Sequence, residues 1–146
     1  MPKLSQFAIK AAMLYLVVGA VWALGYWLNA IWQLLPTWTP LLQSLSPTYI
    51  HLIVVGWLTQ LIFGVMYWMF PILSKAQPRG DERLGWVTFI CLNAGLLVRA
   101  VCEPWRTLQP LAVNGVSLVI SAILQVCAAA LFVWICWPRV RERGGF

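Results

Sequence analysis

The sequence predicts an all-α protein, a bundle of four transmembrane helices with both termini on the cytoplasmic side. Two observations predict this class: 62% of the 146 residues are hydrophobic, and only 10% are charged. A soluble domain carries roughly a quarter charged residues, so this chain has too few polar side chains to cover a water-exposed surface. A helix needs about 20 apolar residues to cross the hydrocarbon core of a bilayer. Four such helices use the whole chain, which we interpret as a single integral membrane domain of residues 1–146.

The four helices are expected at about residues 7–35, 47–70, 84–102 and 111–137. The first apolar run is too long for a signal peptide and no small-residue cleavage site follows it, so we expect a retained helix. Ser46 followed by Pro47 is typical of an N-cap and a first helical position. Pro71 helps to end the second helix. The third helix is expected to end before a short loop at 103–109, which contains Pro104.

Lysine and arginine are distributed unequally between the two ends of the predicted bundle. One end receives eight of them, namely Lys3, Lys10, Lys75, Arg79, Arg83, Arg139, Arg141 and Arg143. The other end receives two, Arg99 and Arg106. Because cytoplasmic loops carry an excess of basic residues, both termini and the middle loop are expected in the cytoplasm. We therefore expect a multi-pass protein of a bacterial inner (cell) membrane, and we read the net charge of +6 as a topology signal, with no nucleic-acid partner.

Several chemistries are excluded by missing motifs. The four cysteines form no C-x-x-C pair and no C-x-x-C-H motif, so covalent attachment of a c-type heme is excluded and we interpret them as packing residues. No cluster of His and Cys has the spacing of a closed zinc site. The apolar spans contain no carboxylate, which argues against a proton relay across the bilayer.

His51 is the only histidine and lies about one turn into the second helix. It is roughly 12 Å from the helix midpoint near Thr59, at the outer edge of the hydrocarbon. At 100° per residue it shares an apolar face with Leu58, Ile62, Val65 and Met69. The flat side of a porphyrin requires such a face. An ionisable residue in a membrane segment is a functional candidate, and the alternative is an interfacial histidine bonded to backbone or water.

Small and polar residues mark two packing faces. Gly56, Gln60 and Gly64 recur at four-residue intervals on the side of the second helix opposite His51, a spacing that lets another helix approach closely. The fourth helix carries a polar stripe of Asn114, Ser117, Ser121 and Gln125. Such a stripe forms interhelical hydrogen bonds or lines a water path, and Asn93 in the third helix is interpreted in the same way.

Arg99 is the second candidate residue, at a depth similar to that of His51. An arginine at this depth must pair, extend to the interface or bind an anion. Glu103, four residues further on, is the nearest partner in sequence. Alternatively Arg99, together with Arg106, holds an anionic group such as a heme propionate, since a guanidinium donates two parallel hydrogen bonds to a carboxylate. The two roles are compatible.

The stretch from Ser46 to Pro71 reads SPTYIHLIVVGWLTQLIFGVMYWMFP. It resembles the second helix of catalytic subunits of the heme–copper oxidase and nitric oxide reductase superfamily, and above all short stand-alone members with four helices. In the large members the histidine at this position ligates the low-spin heme, so the resemblance implies that His51 binds heme iron. The resemblance extends more loosely to Asn93, Gly95, Arg99, Glu103 and Pro104.

The large subunits supply the second axial histidine, the second heme and the copper ligands from later helices that have no counterpart here. We therefore expect no complete catalytic site. A bis-histidine heme would need His51 from each of two protomers, and otherwise the iron would be five-coordinate or would take a non-histidine ligand. The resulting hypothesis is a membrane protein that binds heme b, forms a homodimer or higher homo-oligomer, and serves in electron transfer with a respiratory partner or in binding a diatomic gas. The alternative is a heme-free accessory or assembly subunit of a respiratory membrane complex, with the Gly56/Gln60/Gly64 ridge as its partner interface.

Overall fold

The computed structural model of the chain is all-helical, and it describes residues 1–33, 37, 46–75, 77–108 and 112–140. Its long helices are α1 (Lys3–Trp32), α2 (Ser46–Met69), α3 (Glu82–Leu108) and α4 (Ala112–Cys136). A 3₁₀ turn at Trp137–Arg139 follows α4. All four helices are long and apolar enough to cross a membrane, which confirms the predicted class of a multi-span helical protein.

The ends of α1 and α2 follow from the backbone conformation of the residues that come directly after them. Gln33 has a φ of 47°, in the left-handed region, and its N–H donates to the Asn29 carbonyl at 2.9 Å. This arrangement satisfies one of the last carbonyls and ends α1 at Trp32, before the expected end at residue 35. Phe70 has an extended ψ of 149° because a residue before proline is disfavoured in the helical region. Pro71 therefore ends α2 as predicted.

The predicted loop at 103–109 is wrong over most of its length, because α3 continues to Leu108 with Pro104 inside it. Proline removes only one backbone donor, so the rest of the turn can still form its hydrogen bonds. Glu103 also contacts Arg99, one turn earlier, and Thr48 on α2. These contacts favour the helical conformation at the point where the loop was expected. Residues 109–111 lie outside the described residues.

The middle of α2 departs from α-helical geometry. Leu52–Thr59 are π-helical, between an α-helical turn at 46–51 and the α-helical segment Gln60–Met69. The hydroxyl of Thr59 donates to the Val54 carbonyl, five residues earlier, at 2.9 Å. A π turn holds more residues than an α turn, so side chains on either side of it are rotated relative to the spacing assumed from the sequence. The π segment begins at the residue after His51.

Neighbouring helices run antiparallel and approach closely at glycines. Along the α1–α2 contact, Gly56 faces the ring of Tyr15 and Gly64 faces Ala8, while the Gln60 side-chain amide donates to the Ala8 carbonyl at 3.3 Å. The predicted packing ridge is thus confirmed, and α1 covers it. It is therefore not a free surface for another subunit, as the alternative hypothesis had assumed.

The polar stripe of α4 also acts within the bundle. The Ser121 hydroxyl donates to the Gly95 carbonyl of α3 at 2.7 Å, and the Gln125 amide donates to the Ser121 hydroxyl at 3.3 Å. Asn93 accepts a hydrogen bond from the Tyr15 hydroxyl at 2.9 Å, joining α3 to α1. These contacts confirm that Ser121 and Asn93 form interhelical hydrogen bonds, whereas the Gln125 amide bonds within α4.

The antiparallel packing gives the bundle two distinct ends. Lys3, the segments 70–75 and 77–81, and Arg139 lie together at one end, which we call the terminal end. His51 lies at the opposite end, which we call the His51 end. The two ends carry the main charged contacts of the described residues. The middle combines the uncharged hydrogen bonds described above with apolar packing such as the Phe63–Phe132 stack, whose ring centroids are 3.7 Å apart.

Candidate functional site

Four polar side chains meet between α2 and α3 at the His51 end, and we call them the His51 cluster: Thr48, His51, Arg99 and Glu103. Thr48 and His51 come from the first turn of α2, three residues apart and therefore on one helix face. Arg99 and Glu103 lie one turn apart on α3. Because α2 and α3 run antiparallel, the start of the first helix and the last turns of the second are brought to the same level.

His51 is fixed on both ring nitrogens. Its Nδ1 lies 2.8 Å from the Pro47 carbonyl oxygen, one turn earlier on α2. Its Nε2 lies 2.8 Å from a terminal nitrogen of Arg99. A guanidinium can only donate, so Nε2 accepts this bond and Nδ1 carries the proton that it donates to Pro47. The ring orientation is therefore set by its own helix on one side and by α3 on the other.

Glu103 completes the cluster. One carboxylate oxygen accepts a hydrogen bond of 3.0 Å from the hydroxyl of Thr48, a residue that is almost fully buried. The other oxygen lies 3.3 Å from Arg99 Nε and 3.8 Å from His51 Nδ1. The predicted Arg99–Glu103 pair is thus confirmed. The carboxylate balances the guanidinium, so the cluster places no uncompensated charge at the membrane boundary.

The cluster is partly accessible from outside the bundle. The exposed fraction of the side chain falls from 29% for His51 to 21% for Arg99 and 12% for Glu103. A ligand approaching from the surface would therefore meet the imidazole and the guanidinium before the carboxylate. Glu103 is placed to hold the two residues and not to contact the ligand itself.

Below His51, the face of α2 that was predicted to be apolar is largely uncovered. Leu58 and Ile62 are each 44% exposed and Met69 is 69% exposed, while Val65 is only partly buried. The described part of the chain thus leaves open a strip of aliphatic side chains on α2, and the π segment that begins after His51 rotates this strip relative to the imidazole. Such a strip suits the flat face of a porphyrin, a lipid chain or a second copy of the helix.

The His51 cluster fits a heme iron site on one side of the imidazole. Metal-bound histidines usually donate their second ring N–H to a carbonyl or carboxylate, which is the arrangement of Nδ1 and Pro47. Nε2 is the nitrogen that remains for a metal, and in the structure it accepts a hydrogen bond from Arg99. The fit therefore requires the Arg99 side chain to turn away from the imidazole, towards a position where it could hold a propionate.

Other metal arrangements find no support in the described ranges of the chain. Within them, no group of three or more His, Cys, Asp or Glu side chains is placed to hold a metal ion. A site built on His51 would thus rely on one imidazole from each chain. A metal held by one imidazole would take its other ligands from a bound group such as a porphyrin.

Sequence reasoning missed two groups of the site. Thr48 was not singled out, although it lies three residues before His51 and its position on the same helix face was readable. The Pro47 carbonyl is a backbone group, so no residue type marks it in the sequence. It follows from helical geometry, because the carbonyl four positions before the histidine lies next to the imidazole. Arg106, the second arginine expected near the ligand, is exposed on the last turns of α3.

Comparison of the chain with protein-family models, with curated proteins and with solved structures finds no match.

Proposed function

We propose that the chain binds heme b through His51 and serves in electron transfer or in binding a diatomic gas. The observation that supports this most is the orientation of the imidazole. The Pro47 carbonyl holds Nδ1, which leaves Nε2 as the nitrogen that could bind iron if Arg99 turns away from it. The bound heme would supply the redox-active iron, and the protein would supply one nitrogen ligand and an apolar face.

Arg99 has the second role in this proposal. Its guanidinium reaches His51 and Glu103 in the structure, so a modest change in its side chain would free Nε2 while keeping the positive charge at the site. A carboxylate of the cofactor would then replace the imidazole as its hydrogen-bond acceptor. Glu103 would remain bonded to Thr48 and keep α2 and α3 in register.

The proposal includes a homodimer or higher homo-oligomer, because a second axial histidine could come only from a second copy. It also places the protein in a bacterial inner membrane with both termini in the cytoplasm, which puts the His51 end at the outer face. There the chain would exchange electrons with a respiratory partner. The excess of basic residues at the terminal end supports this orientation.

A second candidate is a heme-free accessory or assembly subunit of a respiratory membrane complex. The observation that favours it is the bond between Arg99 and Nε2, which leaves the His51 cluster satisfied without any ligand. In this case the cluster would serve only to fasten α2 to α3. The partner surface would then lie on the uncovered strip of α2, because the glycine ridge is covered by α1.

The absorption spectrum of the protein purified from heme-replete cells distinguishes the two candidates. Heme binding predicts a Soret band and a pyridine hemochromogen of the b type. His51→Ala should abolish both. Thr59→Ala is the matched control on the same helix, since its hydroxyl bonds within α2, and it should keep the spectrum. A wild-type protein without colour would rule out heme binding.

Arg99→Ala adds a second distinction. If Arg99 holds a propionate, the variant should still show a Soret band but bind heme about tenfold more weakly, the usual effect of losing one hydrogen bond to a charged group. If the cluster is only a fastening between helices, the variant should lose stability, and both it and the wild type should be colourless. Heme titration and thermal unfolding of the same samples measure the two effects separately.

A further inference from the structure

The terminal end contains a buried arginine that the sequence analysis treated only as a topology residue. Arg139 lies in the 3₁₀ turn that follows α4, and it is only 1% exposed. Its Nε donates to the Pro71 carbonyl at 3.0 Å, and one terminal nitrogen donates to the carbonyls of Tyr67 and Phe70 at 3.0 and 2.9 Å. Arg139 thus caps the end of α2, where the helix dipole favours a positive charge.

The hydrogen bonds of this region are incomplete. In the part of the chain that the structure describes, the second terminal nitrogen of Arg139, the hydroxyl of Tyr67 and the Nε of Arg79 are buried and find no hydrogen-bond partner. Among the described residues, the charge-pair contacts within 4.0 Å all involve Glu103 at the opposite end, so neither arginine has a carboxylate at that distance. Unpaired buried donors on charged groups are costly, which favours an anion nearby.

The groups without partners lie close to one another. Arg139 lies over the Tyr67 ring and donates to the Pro71 carbonyl, and the Leu73 N–H donates to the Pro78 carbonyl at 2.9 Å, which brings the segment that carries Arg79 to the same end of α2. Glu82 is exposed, so water screens its charge. The Asp81 carboxylate, also in this region, accepts a hydrogen bond from the Arg83 N–H at 2.9 Å. Arg79 and Arg139 are therefore the two cations of this region, and the nearest carboxylates, Asp81 and Glu82, are exposed.

We propose that the terminal end binds a phosphate oxyanion through Arg79, with Arg139 behind it as a second positive charge. Arg79 is partly exposed, so its side chain is the one that a ligand can reach, whereas Arg139 is shielded by protein. A guanidinium matches the oxygens of a phosphate in pairs, and a buried charge behind it is screened less than a surface charge.

The headgroup of an anionic phospholipid is the source that the position favours. The membrane spans end at Met69 and begin again at Glu82, so Arg79 lies at the level of the headgroups. Basic pockets between transmembrane helices at this level bind lipid phosphates. Free inorganic phosphate offers the same oxygens, so binding of the lipid and binding of inorganic phosphate must be compared. The site is independent of the His51 cluster and of heme.

The test measures lipid binding to the purified full-length chain. Phosphatidylglycerol is compared with phosphatidylcholine by native mass spectrometry, and the midpoint of thermal unfolding is recorded with each lipid and with inorganic phosphate in neutral detergent. Arg79→Gln removes the proposed contact. Arg83→Gln removes the same charge from an exposed position four residues away and is the matched control.

We expect the wild type to prefer phosphatidylglycerol, and Arg79→Gln to weaken that binding at least about tenfold, as loss of a charged hydrogen bond predicts. Arg83→Gln should weaken it less than about fivefold, the effect of one surface charge. Stabilisation by inorganic phosphate that Arg79→Gln removes, without a lipid preference, would keep the site and assign it to free phosphate. Equal losses in the two variants, or no stabilisation by either probe, would overturn the proposal.

Discussion

At the scale of single residues, the His51 cluster depends on a threonine that contacts neither ring nitrogen of the histidine. Thr48 is buried, and its hydroxyl donates to Glu103 across the α2–α3 contact. Glu103 in turn lies within ion-pair distance of Arg99, and Arg99 donates to His51. The position of the imidazole is therefore coupled to Thr48 through two intermediate side chains.

Thr48→Val keeps the shape of this side chain and removes the donor. We expect the free energy of unfolding to fall by about 1 kcal/mol, the usual size of an interhelical hydrogen bond in a membrane protein. Titration with a denaturing detergent measures the change. Thr88→Val is the control, because that buried hydroxyl bonds only to the Leu84 carbonyl of its own helix. Equal losses in the two variants would contradict a role for the Thr48–Glu103 bond.

At the scale of elements, the close approach of α1 and α2 places the first turn of α2 and hence His51. A Cβ added at Gly56 would lie 2.7 Å from Cγ and 2.9 Å from Cβ of Tyr15. These distances are shorter than van der Waals contact, and the near atoms include the rigid base of the Tyr15 side chain. Tyr15 also donates to Asn93 on α3, so its displacement would affect two helix contacts.

Gly56→Ala should therefore separate α1 from α2 and lower the free energy of unfolding by about 1–3 kcal/mol, as overpacking typically does. Gly25→Ala makes the same change on α1 with no atom within 4 Å of the added carbon. It should leave stability unchanged or slightly raised, since alanine favours the helix. The same detergent titration compares them. A Gly56 variant as stable as the Gly25 variant would show that the two helices can shift without loss.

The sequence was sufficient for the helices and for much of their packing, because apolar run length and the spacing of small residues determine both. It could not reveal the π segment Leu52–Thr59, since that depends on a shift of backbone hydrogen bonds without a residue signature. The bond between Arg99 and Nε2 depends on two side-chain conformations across a helix contact. The burial of Arg139 could not be predicted either, because an arginine after a membrane span is equally typical of a solvated anchor.

At the scale of the whole molecule, each end of the bundle is fastened by one arginine with a different set of partners. Arg99 joins α3 to α2 through a carboxylate and an imidazole at the His51 end. Arg139 joins the end of α4 to the end of α2 through three backbone carbonyls. Between them, α2 and α4 also share the Phe63–Phe132 stack and the apolar cluster of Tyr67 and Ile135, and Arg139 adds the hydrogen bonds that fix their ends together.

Arg139→Met keeps a long flexible side chain but removes all donors and the charge. Three carbonyls at the end of α2 would lose this partner, and we expect the free energy of unfolding to fall by about 2–4 kcal/mol. The loss of stability should be confined to the end of α2 that Arg139 contacts. Amide hydrogen exchange should therefore become faster in Gln60–Met69 and at 70–75, while the amides around His51 stay protected. Arg83→Met removes an exposed arginine and should change neither quantity. Uniformly faster exchange over all four helices would show instead that Arg139 stabilises the bundle as one cooperative unit.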